Sequence, residues 1–174
     1  MRCCIHLGQK HSIADTAVLQ VEKNISMVKS TMVQNILNQG RVIAVILKTQ
    51  YRSDGIEFFT PNDFSQQLGY MNRPQGYVIP PHVHNPVPRE VQFTKEVLFI
   101  KSGRVRVDFY DDDQKYLESR ILEQGDVILV AFGGHGFEML EPTEMIEVKQ
   151  GPYAGEADKT RFEPISADKV RLKD

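Results

Sequence analysis

His82 and His84 are separated by a single residue in the extended, proline-bounded stretch GYVIPPHVHNP, Glu96 opens the run EVLFI, and His135 sits in GGHGF. Three of the chain's five histidines thus fall in one strand-rich stretch, with a carboxylate between them. Imidazole nitrogens and an ionised carboxylate are the ligand types of a mononuclear divalent-metal site. Two histidines and a carboxylate with open positions suit Fe(II); a third histidine suits Mn, Ni, Fe or Zn, and ligand type alone does not choose among them. The ligands must be neutral imidazoles and an ionised glutamate, so metal binding is expected to fade as pH falls through the histidine range. An H-x-H pair by itself is weak evidence, because two histidines on a surface strand are common. The argument rests on the set.

The elements that must position this set read as short strands. VIAVILKT at 42–49 is rich in β-branched residues, and IEFF at 56–59 follows a turn-like YRSDG. Thr60-Pro61 reads as an N-cap followed by proline at the first helical position, which predicts a short helix N-terminal to the metal set, from Pro61 to about Leu68, ended by Gly69. Prolines 80 and 81 demand an extended backbone over Gly76–His84. Lys95–Lys101 and Arg104–Tyr110 read as a hairpin around Ser102-Gly103, and Asp111–Asp113 as a solvated acidic turn. Further strands are expected at about 115–122, 126–130, 135–139 and 143–150. Alternation places Glu96 on the face of Leu98 and Ile100, and His135 on the face of Phe137 and Met139. A carboxylate pointing into apolar surroundings needs a partner, since an isolated buried charge is very costly. A metal ion with histidine co-ligands is one such partner.

The segments GYVIPPHVH, EVLFIKSG and GDVILVAFGGHGF resemble the two sequence motifs of the cupin superfamily. Gly76, His82, His84, Glu96 and Gly103 match the first motif in order, and Gly125, Gly133 and His135 match the second after one deletion. Eleven residues separate His84 from Glu96, far more than the pattern has, and Ala131 and Met139 stand where it has proline and asparagine. The long gap leaves Glu90 as a competitor of Glu96 for the carboxylate position. Glu96 is favoured by its place at the head of a strand and its distance from Gly103. The resemblance implies an all-β fold, a double-stranded β-helix (jelly-roll barrel) with its core at about 76–150, irregular tails and a homodimer. It also implies one divalent metal ion held by His82, His84, Glu96 and His135.

Size and charge bound the function. With 174 residues, 41% of them apolar, and 21 basic against 23 acidic side chains, the chain is of one-domain size with a net charge of −2. That balance lacks the basic footprint of a nucleic-acid binder, and no apolar run reaches the roughly 20 residues a bilayer span needs. Residues 1–31 read as a poorly defined extension before a single domain at 32–174, with Met27 and Met32 as alternative starts. Cys3, Cys4, His6 and His11 show no second ligand pair, and adjacent cysteines cannot staple distant parts of a fold. With no apolar leader and no disulfide framework, a reducing cytoplasm is expected.

Three functions follow as expectations. The first is a metal-dependent enzyme, of isomerase, epimerase or dioxygenase type, on a small polar substrate, sugar derivatives being one candidate class. The second is a metal-free nucleotide-sugar epimerase or ketoisomerase with His82 or His84 as the acid–base residue. The third is a non-catalytic small-molecule-binding cupin. Arg89, in the proline-stiffened loop that leaves the histidine pair, is a candidate clamp for a carboxylate or phosphate and reads equally well as an ordinary surface arginine. Tyr77, Lys95 and Tyr110 are candidate general acids or bases, with Tyr77 turned off the histidine face by alternation.

Overall fold

The computed structural model describes residues 31–173 together with Val18, Gln20, Lys23 and Lys29. The chain divides into two units, Met1–Thr31 and Met32–Asp174, and every strand among the described residues belongs to the second. The readings of residues 1–31, of Cys3, Cys4, His6 and His11, and of Met27 as a start lie outside the described residues.

Ten strands make an all-β fold: β1 (Val33–Asn38), β2 (Arg41–Leu47), β3 (Gly55–Phe58), β4 (Gly69–Asn72), β5 (Glu96–Ser102), β6 (Arg104–Tyr110), β7 (Tyr116–Glu123), β8 (Val127–Val130), β9 (Gly134–Met139) and β10 (Glu144–Lys149). They form a five-stranded sheet in the order β1-β2-β8-β5-β10, a three-stranded sheet β7-β6-β9 and a small β3-β4 ribbon. All the ladders between these strands are antiparallel. β1 and β2 are joined by Gln39-Gly40, with φ of 49° and 82°, the both-positive pattern of a tight hairpin turn whose twist matches the strands. No helix among the described residues is long and apolar enough to cross a membrane.

The core lies between the two larger sheets. Ile36, Ile43, Ile46, Leu98, Ile100 and Ile128 of the first meet Val105, Val107, Phe109 and Leu122 of the second. A second cluster, Val45, Leu47, Tyr51, Leu68, Leu129 and Ala131, packs on the opposite face of the five-stranded sheet. β2 and β8 are therefore buried on both faces, which explains why VIAVIL and VILV are continuous apolar runs without alternation. Asp126, fully buried, is held by the amides of Thr49 (2.8 Å) and Glu123 (3.0 Å) and by Lys48 Nζ at 2.5 Å, which fixes the turn leading into β8.

Two sequence expectations are corrected. Residues 61–68 form turns, not a helix. The β3-β4 pairing draws the ends of this loop together, with the Phe59 amide donating to the Leu68 carbonyl at 2.9 Å. The Thr60 hydroxyl then accepts from the Leu68 amide at 3.2 Å across the loop instead of capping a first helical turn. Nor do Lys95–Lys101 and Arg104–Tyr110 form a hairpin, because β5 pairs with β8 and β10 while β6 pairs with β7 and β9. Gly103, at φ 84°, turns the chain from one sheet to the other, and a Cβ there would lie 2.2 Å from the Pro142 carbonyl oxygen.

Candidate functional site

Glu96 is the first residue of β5, opposite Val130 of β8 and Lys149 of β10. It faces inward with Leu98 and Ile100, which are buried in the core. His135, second in β9, lies opposite Phe109 of β6. The two sheets thus bring a carboxylate and an imidazole together from opposite walls: His135 Nε2 lies 3.0 Å from Glu96 Oε2. The hydrogen bond from His135, opposed by burial and aided by the charges of His135, Lys149 and Lys159, holds the Glu96 carboxyl below its ordinary range. Lys149 Nζ stands 4.0 Å from Glu96 Oε1 and 3.2 Å from Asp158 Oδ2, and Thr94 Oγ1 donates to Asp158 Oδ1 at 2.9 Å. In the neutral tautomer with its proton on Nε2, directed at Glu96, Nδ1 carries the lone pair. That atom is buried and has no hydrogen-bond partner among the described residues.

The pair lines a cavity of about 740 Å³. Its aromatic walls include Phe93, Phe132, Phe137 and Phe162. Its charged lining is acidic in balance, with Glu96, Asp111, Asp112, Glu147 and Asp158 against Lys159 and Arg161. An apolar cleft with a few convergent polar groups has the make-up of a small-molecule site.

Of the other candidate residues, Tyr110 alone shares the cavity with this pair. His82 and His84 are exposed on the long loop between β4 and β5, with ring centroids 5.3 Å apart and His82 Nδ1 3.0 Å from the Pro80 carbonyl oxygen. Among the described residues no group of three metal-ligating side chains converges. Glu90 is exposed and accepts from Gln92 at 2.9 Å, so of the two competing carboxylates it is Glu96 that faces the cavity and meets His135. Arg89 is exposed on the same loop, and Tyr77 is exposed beneath the Arg73 guanidinium. Lys95 is buried on the opposite side of β5 from Glu96, where its Nζ donates to Ser65 Oγ at 3.0 Å and lies 5.2 Å from the Phe132 ring centre. Burial first, then the charge of Arg41, pushes its pKa down against the pull of Asp63. Tyr110 lines the cavity and its hydroxyl accepts from the Ile165 amide at 2.9 Å, while burial pushes its pKa up.

Lys149, Asp158, Thr94 and Phe162 belong to the site without having been singled out from the sequence. Lys149 had a usable signal, since in EMIEVK it alternates in step with Met145 and Glu147, both of which line the cavity. Asp158 and Phe162 had none, because an irregular tail brings them there. As a metal site, Glu96 and His135 offer the right donor types on one point and fit a divalent ion, but alone they are an incomplete ligand set. Compared with protein-family models, with curated proteins and with solved structures, the chain matches none.

Proposed function

We propose that this chain is a cupin, a double-stranded β-helix barrel, and that Glu96 and His135 together with His82 and His84 hold one divalent metal ion, Fe, Mn, Zn or Ni. In this reading it is a cytoplasmic enzyme acting on a small polar, sugar-derived metabolite. The observation that carries the proposal is the approach of Glu96 and His135 to 3.0 Å at the wall of an acidic, aromatic-lined cavity. The ion, when bound, supplies Lewis acidity toward a substrate oxygen. The chain's own residues do the rest. Lys149, held in turn by Asp158, helps keep the Glu96 carboxylate ionised, the phenylalanines exclude water, and Lys159 and Arg161 face polar groups of the substrate.

A second reading draws on the same geometry. A carboxylate that fixes one imidazole nitrogen and leaves the other with a free lone pair is also an acid–base dyad, with His135 as the proton-moving group in place of His82 or His84. That arrangement suits metal-free proton abstraction beside a sugar carbonyl in a nucleotide-sugar ketoisomerase or epimerase.

Elemental analysis of protein purified without chelator or affinity metal, beside Glu96→Gln and His135→Ala, separates the two. Near one metal ion per chain, lost in both variants, is the expected result. A protein that takes up neither Mn(II) nor Zn(II) on reconstitution overturns the metal reading. Calorimetry with a nucleoside-diphosphate sugar then tests the dyad.

A further inference from the structure

The long loop between β4 and β5 is held mainly by contacts within itself. Among the described residues, every hydrogen bond and ring contact of residues 76–92 is made within 73–92: Tyr77 to Pro74 and Arg73, His82 to Pro80 and His84, Arg89 to Val87, and Gln92 to Glu90. Its apolar side chains face solvent in a continuous series, with Val78 at 75% and Val83 at 87% exposed and Tyr77, Ile79, Val87 and Val91 also uncovered. Isolated exposed apolar residues are ordinary, but a contiguous run marks a contact surface.

A matching vacancy exists in the three-stranded sheet. One edge strand, β7, is covered by the chain itself, through the Ser119–Leu172 bridge and the bonds of Ser119 with Arg171 and Lys173. The other, β9, has a ladder partner only on its β6 side among the described residues and carries His135. An uncovered edge is a template for another strand.

We infer that residues 73–92 are an arm that seats on a second copy of this chain, adds an edge strand beside β9 and delivers His82 and His84 to that copy's Glu96 and His135. This rests on the metal reading above for the role of the histidines, though not for the seat of the arm. At ~3.3 Å per extended residue, Arg73 to His84 spans roughly 40 Å, enough to reach a neighbouring subunit. The prolines at 80, 81, 86 and 88 leave His82–Asn85 as the stretch with free amides, and proline is tolerated in an edge strand. Alternation then sends His82 and His84 to the cavity side and Val83 to the outer face. There Gly136, beside which an added Cβ meets nothing within 4 Å, leaves room for it. Charge is complementary as well. Residues 73–92 carry Arg73 and Arg89 against the single carboxylate Glu90, facing a cavity lined by five carboxylates and two cations.

The test has two readouts. Sedimentation equilibrium is expected to give a dimer for the wild-type chain and a monomer both for Val83→Asp and for replacement of residues 76–89 by a short Gly-Ser linker. Because Val83 is exposed within its own subunit, the substitution leaves the fold of the monomer intact. For the second, His82→Ala/His84→Ala chains and Glu96→Gln/His135→Ala chains are loaded with Zn(II) separately and after exchange of subunits. Each alone holds no zinc, while the mixed dimer regains one ion, because one of its two sites has all four native ligands. A monomeric wild type, arm variants that stay dimeric, or zinc-binding wild type without recovery on mixing overturns the inference; the last outcome places the arm in its own subunit. A wild-type dimer that dissociates on Val83→Asp but never holds zinc upholds the seat of the arm and rejects the metal reading.

Discussion

Residues 73–95 and residues 150–173 both leave the sheets, both carry prolines and polar side chains, and both run largely without ladder pairing. They differ in what satisfies them. In the tail, the Ile165 amide donates to the Tyr110 hydroxyl at 2.9 Å and the Arg171 amide to the Tyr116 hydroxyl at 2.8 Å. Arg171 also donates to the Leu117 carbonyl at 2.8 Å, Lys173 pairs with Glu118, and Phe162 packs edge-on to Tyr110. Among the described residues the arm has no comparable bond beyond its root, where Phe93 meets Phe132 and Thr94 meets Asp158 of the tail. Irregular backbone is held by whatever accepts and donates to it, not by its own regularity. Here the phenols and carboxylates of β6 and β7 hold the tail, while among the described residues no bond or ring contact holds residues 76–92 to the sheets.

The largest break in this contrast comes from the floor under the tail. Asp108, buried on the outer face of β6, accepts from Arg106 Nε at 2.8 Å and Nη2 at 2.9 Å and from Ser119 Oγ at 2.5 Å. Ser119 in turn meets the Tyr116 hydroxyl at 2.8 Å. Asp108→Ala removes a buried carboxylate and strips the half-buried Arg106 guanidinium of its bidentate partner, leaving it Glu138 at 2.7 Å, and is expected to cost about 3 kcal/mol in urea unfolding. A loss under ~1 kcal/mol would mean that the tail and its floor are energetically separate.

Tyr116→Phe sharpens the comparison at a smaller scale. It removes the acceptor for the Arg171 amide and the partner of Ser119, for an expected loss of about 1–2 kcal/mol. The arm offers the control. Val83→Asp is expected to change the stability of the monomer by less than ~0.5 kcal/mol, because it touches no buried group. Limited trypsin digestion of that monomer should cut after Arg89 before it cuts after Lys159 or Arg161. Earlier cleavage in the tail would reverse the ranking.

The same contrast explains what the sequence disclosed. The inward face of Glu96 was legible because period-2 alternation ties it to Leu98 and Ile100, and strands at 115–122, 126–130, 135–139 and 143–150 were bounded by glycine, proline and aspartate. β1, VQNILN, escaped notice because its amide side chains weaken the strand signal, and its place is set by the hairpin with β2. The N-cap signal at Thr60-Pro61 was locally sound but yielded to the closure of the β3-β4 ribbon. Chain adjacency made β5 and β6 look like a hairpin, while the close approach of Gly103 to Pro142 sends them to different sheets. Cross-strand partners such as Lys149 for Glu96 depend on register, which no local pattern encodes.

The smallest effect concerns the last anchor of the tail, and its sign follows from Glu118. Burial alone would raise the pKa of this carboxyl, but the bonds and charges of Lys173 and Arg120 outweigh it and hold the value below its ordinary 4.5. A carboxylate with a depressed folded-state pKa contributes its full stabilisation above the unfolded value and loses it as pH falls through the folded one. Lys173 is more than half exposed, so solvent and salt screen much of the attraction, and the contribution is expected to stay below ~1 kcal/mol. Glu96 also has a depressed pKa, so acid alone weakens both the tail anchor and the cavity pair. Glu118→Gln separates them. The stability gap between wild type and this variant should be present at pH 7, shrink in high salt and close as pH falls below the ordinary glutamate range. A gap that persists in acid would show that Glu118 acts through packing under the tail and not through its charge.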